Sequence, residues 1–564
     1  MNMPTEKFSG DFASLHSHAD TSAFDGLGSP EEFLVRAAEM GQKSFALTDH
    51  GSLRGLYAAS VAAEKTGVKL IPGLEAYVCD DASLRGLTKE ERDEIKSKHD
   101  KLDERKAALK RAESLRRERD HITIWALDNE GLRNLYKLNA YAWTDGFYYR
   151  PRIDLEQLKR YSAGLAVSSG CPGGIITSPM RQRDASTVAN RVRSLAEIFG
   201  DRLYIEIMPH VPTQDCVGLA EGLLNIAEKI GAKVVATQDA HYPRAEDSEA
   251  QDALLCIQTH GRINDPIAKE RGAEGRFGFD SNEYWLRSRA ELRAAFEKNI
   301  PSSNMKAVDA ALDATLAFAD RCTARIDRPA PGSYLAAPEL PEDVKDYDHW
   351  LLKLCAQGVL ERGIPAEGDY MARLEYELGL IKDKDFGAYF VMAWDVRKWA
   401  REQDILCGPG RGSAAGSLVG FLLKITDLDP IESGLSFERF IAPGRESLPD
   451  IDLDFESGRG EEIVDYLRDT YGHDHVAQIS THTRLGGKAA VHDLGRVFQI
   501  PSSDCSRIAS LIFAGNSEES QNDDELARVL ETTETGKAFA ERYRDAAAVA
   551  RRLEGKLRSV GRHP

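Results

Sequence analysis

Short apolar runs alternate with helical stretches from about residue 12 to residue 285. The runs have the length of strands, and in chain order they are FASLHSH, SFALTDH, KLIPGLEAYV, HITIWAL, GLAVSSG, RLYIEIM and KVVATQDAH. The segments between them have helical spacing, as in SPEEFLVRAAEMG, which a Ser-Pro cap opens, and VANRVRSLAEIFG. Repeated strand–helix units predict an α/β fold with a parallel sheet or barrel, whose functional site lies at the carboxyl ends of the strands.

One stretch interrupts this pattern. Residues 85–120 contain 13 basic and 10 acidic residues, and Ile95, Leu102 and Leu109 follow one another at a spacing of seven. A mixture of charge signs at helical spacing predicts a solvent-exposed helix or helical hairpin. The small basic excess also allows an arm that contacts DNA, but the mixed signs favour the exposed hairpin.

The second part of the chain has a different organisation. A Pro-rich stretch at about 328–343 predicts an extended connector between two folded parts. Helices are predicted after it, in DYMARLEYELGLI and VMAWDVRKWAREQ. A glycine-rich loop at 408–417 and an acidic strand at 449–455 follow.

Composition bounds the class of protein. The length of 564 residues suggests roughly three to five domains. The net charge of −18 argues against a protein that coats nucleic acid through its bulk charge, yet an enzyme needs only a locally basic groove. The chain has no signal peptide, no membrane-length apolar run and no C-x-x-C pair among its eight cysteines. These features predict a cytoplasmic protein with reduced thiols.

Metal-binding residue types gather at the predicted strand ends. His16 and His18 are two apart on one strand and therefore project from the same face. An H-x-H pair alone is commonly a surface feature, but further ligand types close other strands. They are Asp49-His50, Glu75, Asp239 and His241, with His121 at the start of a strand and Cys171 after another. Their convergence on one edge predicts a metal site.

This pattern resembles the PHP (polymerase and histidinol phosphatase) domain, a distorted (βα)7 barrel that holds a cluster of metals. The resemblance implies a ligand set of His16, His18, Asp25, His50, Glu75, His121, Cys171, Asp239 and His241. In polymerases that keep the whole set, it implies 3′–5′ exonuclease proofreading. Histidine-rich ligation with carboxylates and one thiol favours Zn²⁺ or Mn²⁺ over Mg²⁺ alone.

A second acidic cluster lies in LPDIDLDF. Strict alternation places Asp450, Asp452 and Asp454 on one face and apolar residues on the other. A solvated edge strand is one explanation. Metal binding is favoured, because the apolar face packs the strand while three like charges need cations.

The glycines of the upstream loop GPGRGSAAGS allow its backbone amides to converge on an anion. The loop does not have the G-x-x-x-x-G-K-[ST] pattern of a P-loop. A flexible connector is the alternative explanation. Arg439 and Arg445 lie between the loop and the carboxylates, where they could clamp phosphates.

The whole stretch from GPGRGSAAGS to LPDIDLDF, with GFYYRPRID, RLEYELGLI and THTRLGGKAAVHDLGRVF, resembles the bacterial C-family replicative DNA polymerases. The resemblance implies an α/β and α+β multidomain chain with a nucleotidyltransferase-like palm and a mainly helical thumb after the PHP domain. It implies Mg²⁺ on the catalytic Asp450 and Asp452, nucleotide contacts from Gly412, Ser413, Arg439 and Arg445, and DNA contacts from Lys488 and Arg496.

The implied domains are PHP at 1–285, the first part of the palm at 286–481 and the thumb at 482–564. The implied partners are primer–template DNA, dNTPs, the carboxyl-terminal half of the polymerase, the sliding clamp and other holoenzyme subunits. Because the family's third catalytic carboxylate would lie beyond residue 564, we expect no DNA synthesis without that half, whether it is joined by protein splicing or by non-covalent assembly.

Three functions stay open at this stage. The first, which we favour, is the amino-terminal half of a DNA-directed DNA polymerase with exonuclease activity in its PHP domain. The second is a stand-alone PHP metal-dependent phosphoesterase or nuclease. The third is a non-catalytic replication scaffold in which the metal cluster is structural.

Overall fold

The structure is a computed structural model that describes residues 12–22, 25–99, 101–209, 215–268, 275–279, 281–328, 337–365, 367–445, 447–512 and 525–562. The chain forms two compact units. The first contains Met1–Ile326 and Thr481–Gly561, and the second contains Asp327–Ser480 and Arg562–Pro564. Residues 286–326 and 481, which belong to the predicted palm, and residues 482–561, which belong to the predicted thumb, are therefore part of the first unit.

A curved sheet forms the centre of the first unit. Its strands are β1 (Ser44–Leu47), β2 (Lys69–Val78), β3 (Asp120–Ala126), β4 (Arg152–Ile153), β5 (Leu165–Ser168), β6 (Leu203–Ile207) and β7 (Lys233–Ala236). The order is β1-β2-β3-β5-β6-β7, with β4 paired to β2. The strand–helix repeats predicted a parallel sheet or barrel, and the sheet departs from the parallel pattern at β3, which runs antiparallel to both β2 and β5.

The first predicted strand closes this sheet. Instead of a regular strand, FASLHSH makes isolated bridges, with Ser14 paired to Phe45 of β1 and Ser17 paired to Ala240 just after β7. The amide of His18 donates to the carbonyl of Ala240 at 2.7 Å. One short segment thereby joins the two edge strands, so the distorted barrel that the sequence predicted is closed through it.

Helices cover the sheet and extend the first unit. In chain order they are α1 (Pro30–Glu39), α2 (Leu56–Thr66), α3 (Lys89–Ser97), α4 (Leu102–Arg117), α5 (Asn129–Trp143), α6 (Leu155–Arg160), α7 (Thr177–Arg181), α8 (Ala185–Phe199), α9 (Asp215–Ile230), α10 (Ser248–Thr259), α11 (Arg289–Asn299) and α12 (Met305–Arg321). The Ser29 capping box begins α1 as predicted. Helices α3 and α4 confirm the predicted charged hairpin, and neither has a buried residue.

The second unit is helical, with α13 (Tyr347–Arg362), α14 (Asp369–Asp383), α15 (Gly387–Glu402), α16 (Leu418–Leu422) and α17 (Gly460–Tyr471). Its apolar core includes Leu351, Phe390, Leu418 and Phe437. Of the predicted connector at about 328–343, residues 329–336 lie outside the described residues. Among the helices that the structure describes, none combines the length and apolar character that a membrane crossing requires.

The carboxyl-terminal segment contains β8 (Ser480–Arg484), α18 (Gly487–Val497), α19 (Ser502–Leu511), α20 (Glu525–Thr532), α21 (Glu534–Arg542), α22 (Arg544–Leu553) and β9 (Leu557–Arg562). Its apolar faces share a core with α10. An ion cluster fastens it to the start of the chain, because Arg552 and Lys556 each lie 2.5 Å from a carboxylate oxygen of Glu32, and Arg552 also pairs with Asp247.

These pairs predict an acid-sensitive contribution to stability. Burial alone would raise the pKa of Glu32, but Lys556 and Arg552 outweigh it and hold that pKa at about 2, against an ordinary value of 4.5. A lowered carboxyl pKa stabilises the fold above the unfolded pKa, and that contribution is lost as the pH falls toward the folded one. We expect Glu32→Gln to lower the free energy of unfolding by about 1–2 kcal/mol at pH 7, in urea titrations.

The difference between this variant and the parent should shrink as the pH falls from 4.5 toward 2. Glu31→Gln is the matched control, because Glu31 makes one exposed pair with Lys65 and should change stability by less than about 1 kcal/mol. A Glu32→Gln effect of the same size at every pH would contradict this account.

Candidate metal centre and acidic loop site

The topology of the sheet gathers the predicted ligands at one end of the barrel. His50 follows β1, Glu75 lies in β2, and Asp239 and His241 follow β7. His121 is at the start of β3, and because β3 is antiparallel to β2, it pairs with Tyr77 beside the carboxyl end of β2. The His121 amide donates to the carbonyl of Gly173, which brings Cys171 to the same place.

The side chains form a continuous cluster that is buried apart from the partly exposed Asp25 and His121. Three groups bring one ligand atom from each member within 4.8 Å of the others: His18, His50 and His241; His16, His18, Glu75 and Asp239; and His50, Glu75 and His121. Asp25 approaches His50 at 3.4 Å, and the Cys171 thiol lies 3.3 Å from Nδ1 of His121. The structure therefore brings all nine predicted ligands together.

Several carboxylate oxygens in this cluster are placed where they could bind a cation. Both carboxylate oxygens of Glu75, Oδ1 of Asp239 and Oδ1 of Asp25 are buried, and none has a hydrogen bond of good geometry. Imidazole nitrogens nevertheless approach two of these groups, at 2.8 Å between His50 and Glu75 and 3.1 Å between His18 and Asp239. An unsatisfied buried polar atom costs about 1–3 kcal/mol, and more when it is charged. Carboxylates that meet imidazoles around such atoms suit divalent metals with nitrogen and oxygen ligands, so the residues present fit the group.

Several pKa values in the cluster are shifted by burial and by the charges of neighbouring side chains. Burial lowers the pKa of His18 well below its usual range, and the neighbouring His50 and His241 lower it further. Burial opposes a charge on His16 as well, but Glu206, Glu75 and Asp239 outweigh burial and raise the pKa of His16 well above its usual value. Burial and nearby carboxylates raise the pKa of the Cys171 thiol, so a cation's own charge would be needed to hold it as a thiolate.

Glu206 is a site residue that the sequence analysis missed. Its Oε1 lies 2.6 Å from Nδ1 of His16, and its side chain also accepts hydrogen bonds from the hydroxyls of Thr123, Ser168 and Thr237. With Nδ1–H donated to Glu206, the Nε2 atom of His16 faces Glu75 and Asp239 and is available as a ligand. The only sequence signal was one acidic residue inside the apolar strand RLYIEIM.

The second acidic cluster lies in the other unit. The predicted strand at 449–455 is an extended segment, and the described residues show one bridge in it, between Phe455 and Cys407. The predicted alternation holds, because Ile451 and Leu453 pack against the core. The glycine loop runs alongside, with the Gly408 amide donating to the carbonyl of Asp454 at 2.9 Å.

The loop comes close to the acidic side chains at Gly412. That residue has a φ of 67°, which favours glycine, and a Cβ placed on it would lie 3.0 Å from Oδ2 of Asp452, so the backbone of the loop passes close to this carboxylate. Ser413, beside it, is exposed. The helix α16 after the loop is only five residues long.

Two buried side chains, Glu377 and Arg397, support the glycine loop. Glu377, in RLEYELGLI, accepts from the amides of Leu418 and Val419, while Arg397 donates to the carbonyl of Gly408 at 2.7 Å. Arg373 donates to the carbonyl of Gly416 at 2.8 Å. The RLEYELGLI motif thus holds the end of the loop, and Arg397 holds its beginning.

Arg411 is the second residue that the sequence analysis missed. Its guanidinium lies 3.0 Å from Asp452 and 3.1 Å from Asp454, so an arginine of the loop neutralises part of the acidic cluster. The signal was present, since Arg411 is the only cation within GPGRGSAAGS.

The other predicted contact residues are placed as follows. Arg439 is exposed, and the guanidinium of Arg445 donates to the carbonyls of Phe440, Ser447 and Leu448, where it braces the approach to the acidic segment. Lys488 and Arg496 lie exposed on α18 in the first unit, and Arg496 donates to the carbonyls of Ile257 and Gly261. Their nucleotide and DNA contacts stay predictions.

Comparison with known proteins bears on both units. Residues 14–210 match the family model described as the PHP domain, and residues 349–564 match that of the bacterial DNA polymerase III alpha NTPase domain. The chain is 33% identical to a DNA polymerase III subunit alpha from Treponema pallidum, over 98% of this chain and 43% of that protein. The corresponding protein of Aquifex aeolicus is 34% identical over 90% of this chain and 41% of its own length.

The chain is thus a relative of the bacterial DNA polymerase III alpha subunits. It spans about two fifths of the length of the curated relatives that it matches. Among solved structures, an amidohydrolase from Chromobacterium violaceum is 16% identical over 41% of this chain and 88% of its own, with a TM-score of 0.25, which is too low to support an argument. The relationship to DNA polymerase III alpha therefore rests on the family models and on the sequence identity to its relatives.

Glu206 gives a direct test of how the metal centre is held. We expect Glu206→Gln to weaken Mn²⁺ or Zn²⁺ binding by about 10–100-fold in competition titrations with a chelator, because an amide does not orient and polarise His16 as a carboxylate does. Glu197→Gln, an exposed change on α8, is the control and should bind metal like the parent. Unaltered affinity in a Glu206→Gln protein that melts normally without metal would contradict this role.

Removal of Arg411 is expected to strengthen metal binding in the second unit, whereas Glu206→Gln is expected to weaken it in the first. In a His16→Ala/His18→Ala background that silences the first site, Arg411→Ala should tighten Mn²⁺ binding several-fold, because the guanidinium competes for Asp452 and Asp454. Calorimetric titration would measure this, and Arg439→Ala, an exposed arginine without such a pair among the contacts described, should leave Mn²⁺ affinity unchanged. Weaker Mn²⁺ binding in Arg411→Ala would show that the arginine supports the site instead of competing.

Proposed function

We propose that the barrel of this chain is a metal-dependent phosphodiesterase that removes nucleotides from 3′ ends of DNA, within the amino-terminal part of a replicative DNA polymerase. The observation that carries the proposal is the cluster of the nine predicted ligands, in which the buried carboxylates of Glu75 and Asp239 lie 2.8 and 3.1 Å from imidazole nitrogens of His50 and His18. A purely structural barrel end would be stabilised by replacing these charges with apolar residues.

The chemistry follows from what this donor set can hold. Zn²⁺ or Mn²⁺ ions bound there would supply a hydroxide-generating Lewis acid and would stabilise the oxygen that leaves the phosphodiester. The chain's own residues supply orientation: Glu206 fixes His16, and the Ser22 hydroxyl lies 3.2 Å from Nδ1 of His18. Burial of both imidazoles and of Glu75 keeps bulk water away from these electrostatic contacts, which strengthens them.

The test is trimming of a 5′-labelled single-stranded oligonucleotide by the full 564-residue chain in Mn²⁺ or Zn²⁺, without dNTPs. We expect products that shorten from the 3′ end, and we expect His16→Ala/His18→Ala to reduce the rate by at least about 100-fold because two ligands are lost. Metal analysis of both proteins should show a matching loss of bound metal.

His492→Ala is the control, because His492 is an exposed histidine on α18. It should trim at the parental rate. Equal trimming by the parent and the double variant would overturn the site assignment, and metal-dependent stability without trimming in any metal would favour the scaffold function instead.

We propose further that the second unit provides part of a polymerase palm. In this proposal Asp450 and Asp452 hold Mg²⁺, Gly412 and Ser413 contact the triphosphate of an incoming dNTP, and Arg439 and Arg445 contact phosphates. The closeness of Gly412 to Asp452 supports it, because it places loop amides beside the acidic cluster. Lys488 and Arg496 would then contact the backbone of primer–template DNA, a sequence-independent contact.

The relatives' names also suggest a setting. We propose that the chain acts in the cytoplasm as part of a replisome, with the remaining part of the polymerase, the sliding clamp and other holoenzyme subunits as partners. Similarity to DNA polymerase III alpha subunits over 90–98% of this chain supports that setting.

A further inference from the structure

The charged hairpin α3–α4 forms one wall of a cleft that reaches the metal centre. The cleft has a volume of about 1450 Å³, and its lining includes Ile95 and Leu115 of the hairpin, Arg119 just after it, and His121 of the metal cluster. Small-molecule pockets typically occupy about 300–1000 Å³, so this cleft is larger than a phosphorylated metabolite requires. It has room for an extended ligand.

A buried arginine fixes the base of the hairpin. The guanidinium of Arg152 donates to the carbonyls of Ala82 and Leu84 where the segment leaves the sheet, and to the carbonyl of Arg116 where it returns. It also donates to the carbonyl of Gly146. Because both ends of the insertion are tied to one side chain, the residues that follow α4 are held in place relative to the barrel.

The returning end of the hairpin is also attached to the loop before β4. Arg117 stacks on the exposed ring of Tyr149, with 4.1 Å between its guanidinium carbon and the ring centroid, and it donates to the Tyr149 hydroxyl at 2.8 Å. This contact links the insertion to GFYYRPRID, the segment that carries Arg150.

Two arginines lie against one aromatic ring at the edge of the metal centre. The guanidinium carbons of Arg119 and Arg150 lie 5.2 and 6.0 Å from the centroid of Tyr77. That ring in turn lies 5.2 Å from His121 and 5.8 Å from His50, between centroids. A guanidinium that packs against an aromatic face directs its N–H groups along its own edge, the geometry in which arginine binds carboxylates and phosphates. One N–H group of Arg119 donates to the carbonyl of Arg117 at 2.9 Å.

We propose that Arg119 and Arg150, supported by Tyr77, form a clamp for a phosphate next to the scissile one, so that the site selects single-stranded oligonucleotides over small phosphate esters. This proposal rests on the proposed phosphodiesterase function and deepens it. It assigns the charged insertion a role, which is to deliver Arg119 to the metal centre.

The charge of the cleft wall is consistent with an anionic ligand. Carboxylates on the wall are paired with bases of the same wall, since Asp120 lies 2.5 Å from Arg191, Glu91 lies 2.5 Å from Arg116, and Glu94 lies 2.6 Å from Lys98. These pairs reduce the repulsion that a phosphate chain would meet from three of the seven carboxylates that line the cleft, and seven lysines and arginines of the lining balance the total.

The first experiment measures binding without hydrolysis. Fluorescence anisotropy of a labelled oligothymidylate is followed in EDTA for the parent and for Arg119→Gln/Arg150→Gln. We expect Kd to rise about tenfold, and we expect the slope of log Kd against log salt to fall by about 0.7, because both arginines bind one phosphate and each single-strand phosphate that is no longer neutralised removes about 0.7. A structural defect would not change the salt slope in this way.

Arg133→Gln is the matched control, because Arg133 is an exposed arginine on α5. It should leave Kd and the salt slope unchanged. Melting in the absence of metal checks that the double variant is folded, and Arg119→Lys/Arg150→Lys should retain most of the salt slope because it keeps the charges.

The second experiment compares two substrates in Mn²⁺. The ratio of kcat/KM for the oligonucleotide to that for bis(p-nitrophenyl) phosphate, which has no second phosphate, should fall at least tenfold in the double glutamine variant. An unchanged ratio, Kd and salt slope in a folded double variant would overturn the clamp while leaving the phosphodiesterase function standing. If the parent hydrolyses neither substrate, the phosphodiesterase function fails, and a clamp-dependent Kd would still support the binding site.

Discussion

The structure of the first unit depends on one electrostatic constraint, which is the burial of carboxylates and imidazoles in contact at the end of a barrel. Ionised groups lose several kcal/mol each when they leave water, so such a cluster persists only if the charges compensate one another. The imidazoles of His16, His50 and His121 compensate the charge of Glu75 in part, and the shortest of these contacts is 2.8 Å, from Nδ1 of His50. A bound cation would complete the compensation of the several carboxylates buried here, so the end of the barrel fits a metal centre.

The rest of the unit can be understood as support for that cluster. Segment 12–18 closes the sheet through isolated bridges, and in doing so it brings His16 and His18 beside Asp239 and Glu75. The antiparallel direction of β3 turns His121 toward the same end. Glu206 and its three hydroxyl donors fix His16 from behind. The charged hairpin, fastened by Arg152, contributes Arg119 at the rim.

The convergence of the candidate ligands could be predicted from the sequence because most of them follow apolar runs, and the carboxyl ends of parallel strands meet at one edge of a sheet. Glu206 was missed, since one acidic residue in RLYIEIM looks like an ordinary polar position of a half-buried strand. The direction of β3 was misjudged, because the connection through an unusually long insertion does not reveal strand direction. The first segment alternates like a strand in sequence, but in the structure it pairs with its neighbours only through isolated bridges at Ser14 and Ser17, so it is not a regular strand.

The two compact units divide the chain at other residues than the predicted domain boundaries, because long-range contacts decide where the carboxyl-terminal segment packs. Residues 481–561 share an apolar core with α10 and an ion cluster around Glu32, and neither the core nor the cluster can be inferred from local patterns separated by several hundred residues. Local patterns did predict the helices α14 and α15 and the packing of Ile451 and Leu453, because these depend on short-range periodicity alone.

The most direct test of the central claim is anomalous diffraction at the manganese edge from crystals of the full chain grown with Mn²⁺. The account predicts anomalous peaks within bonding distance of the imidazoles of His16, His18, His50 and His241 and of the carboxylates of Glu75 and Asp239. Crystals saturated with Mn²⁺ that show no peak in this cluster, with the same side-chain contacts as described above, would contradict it.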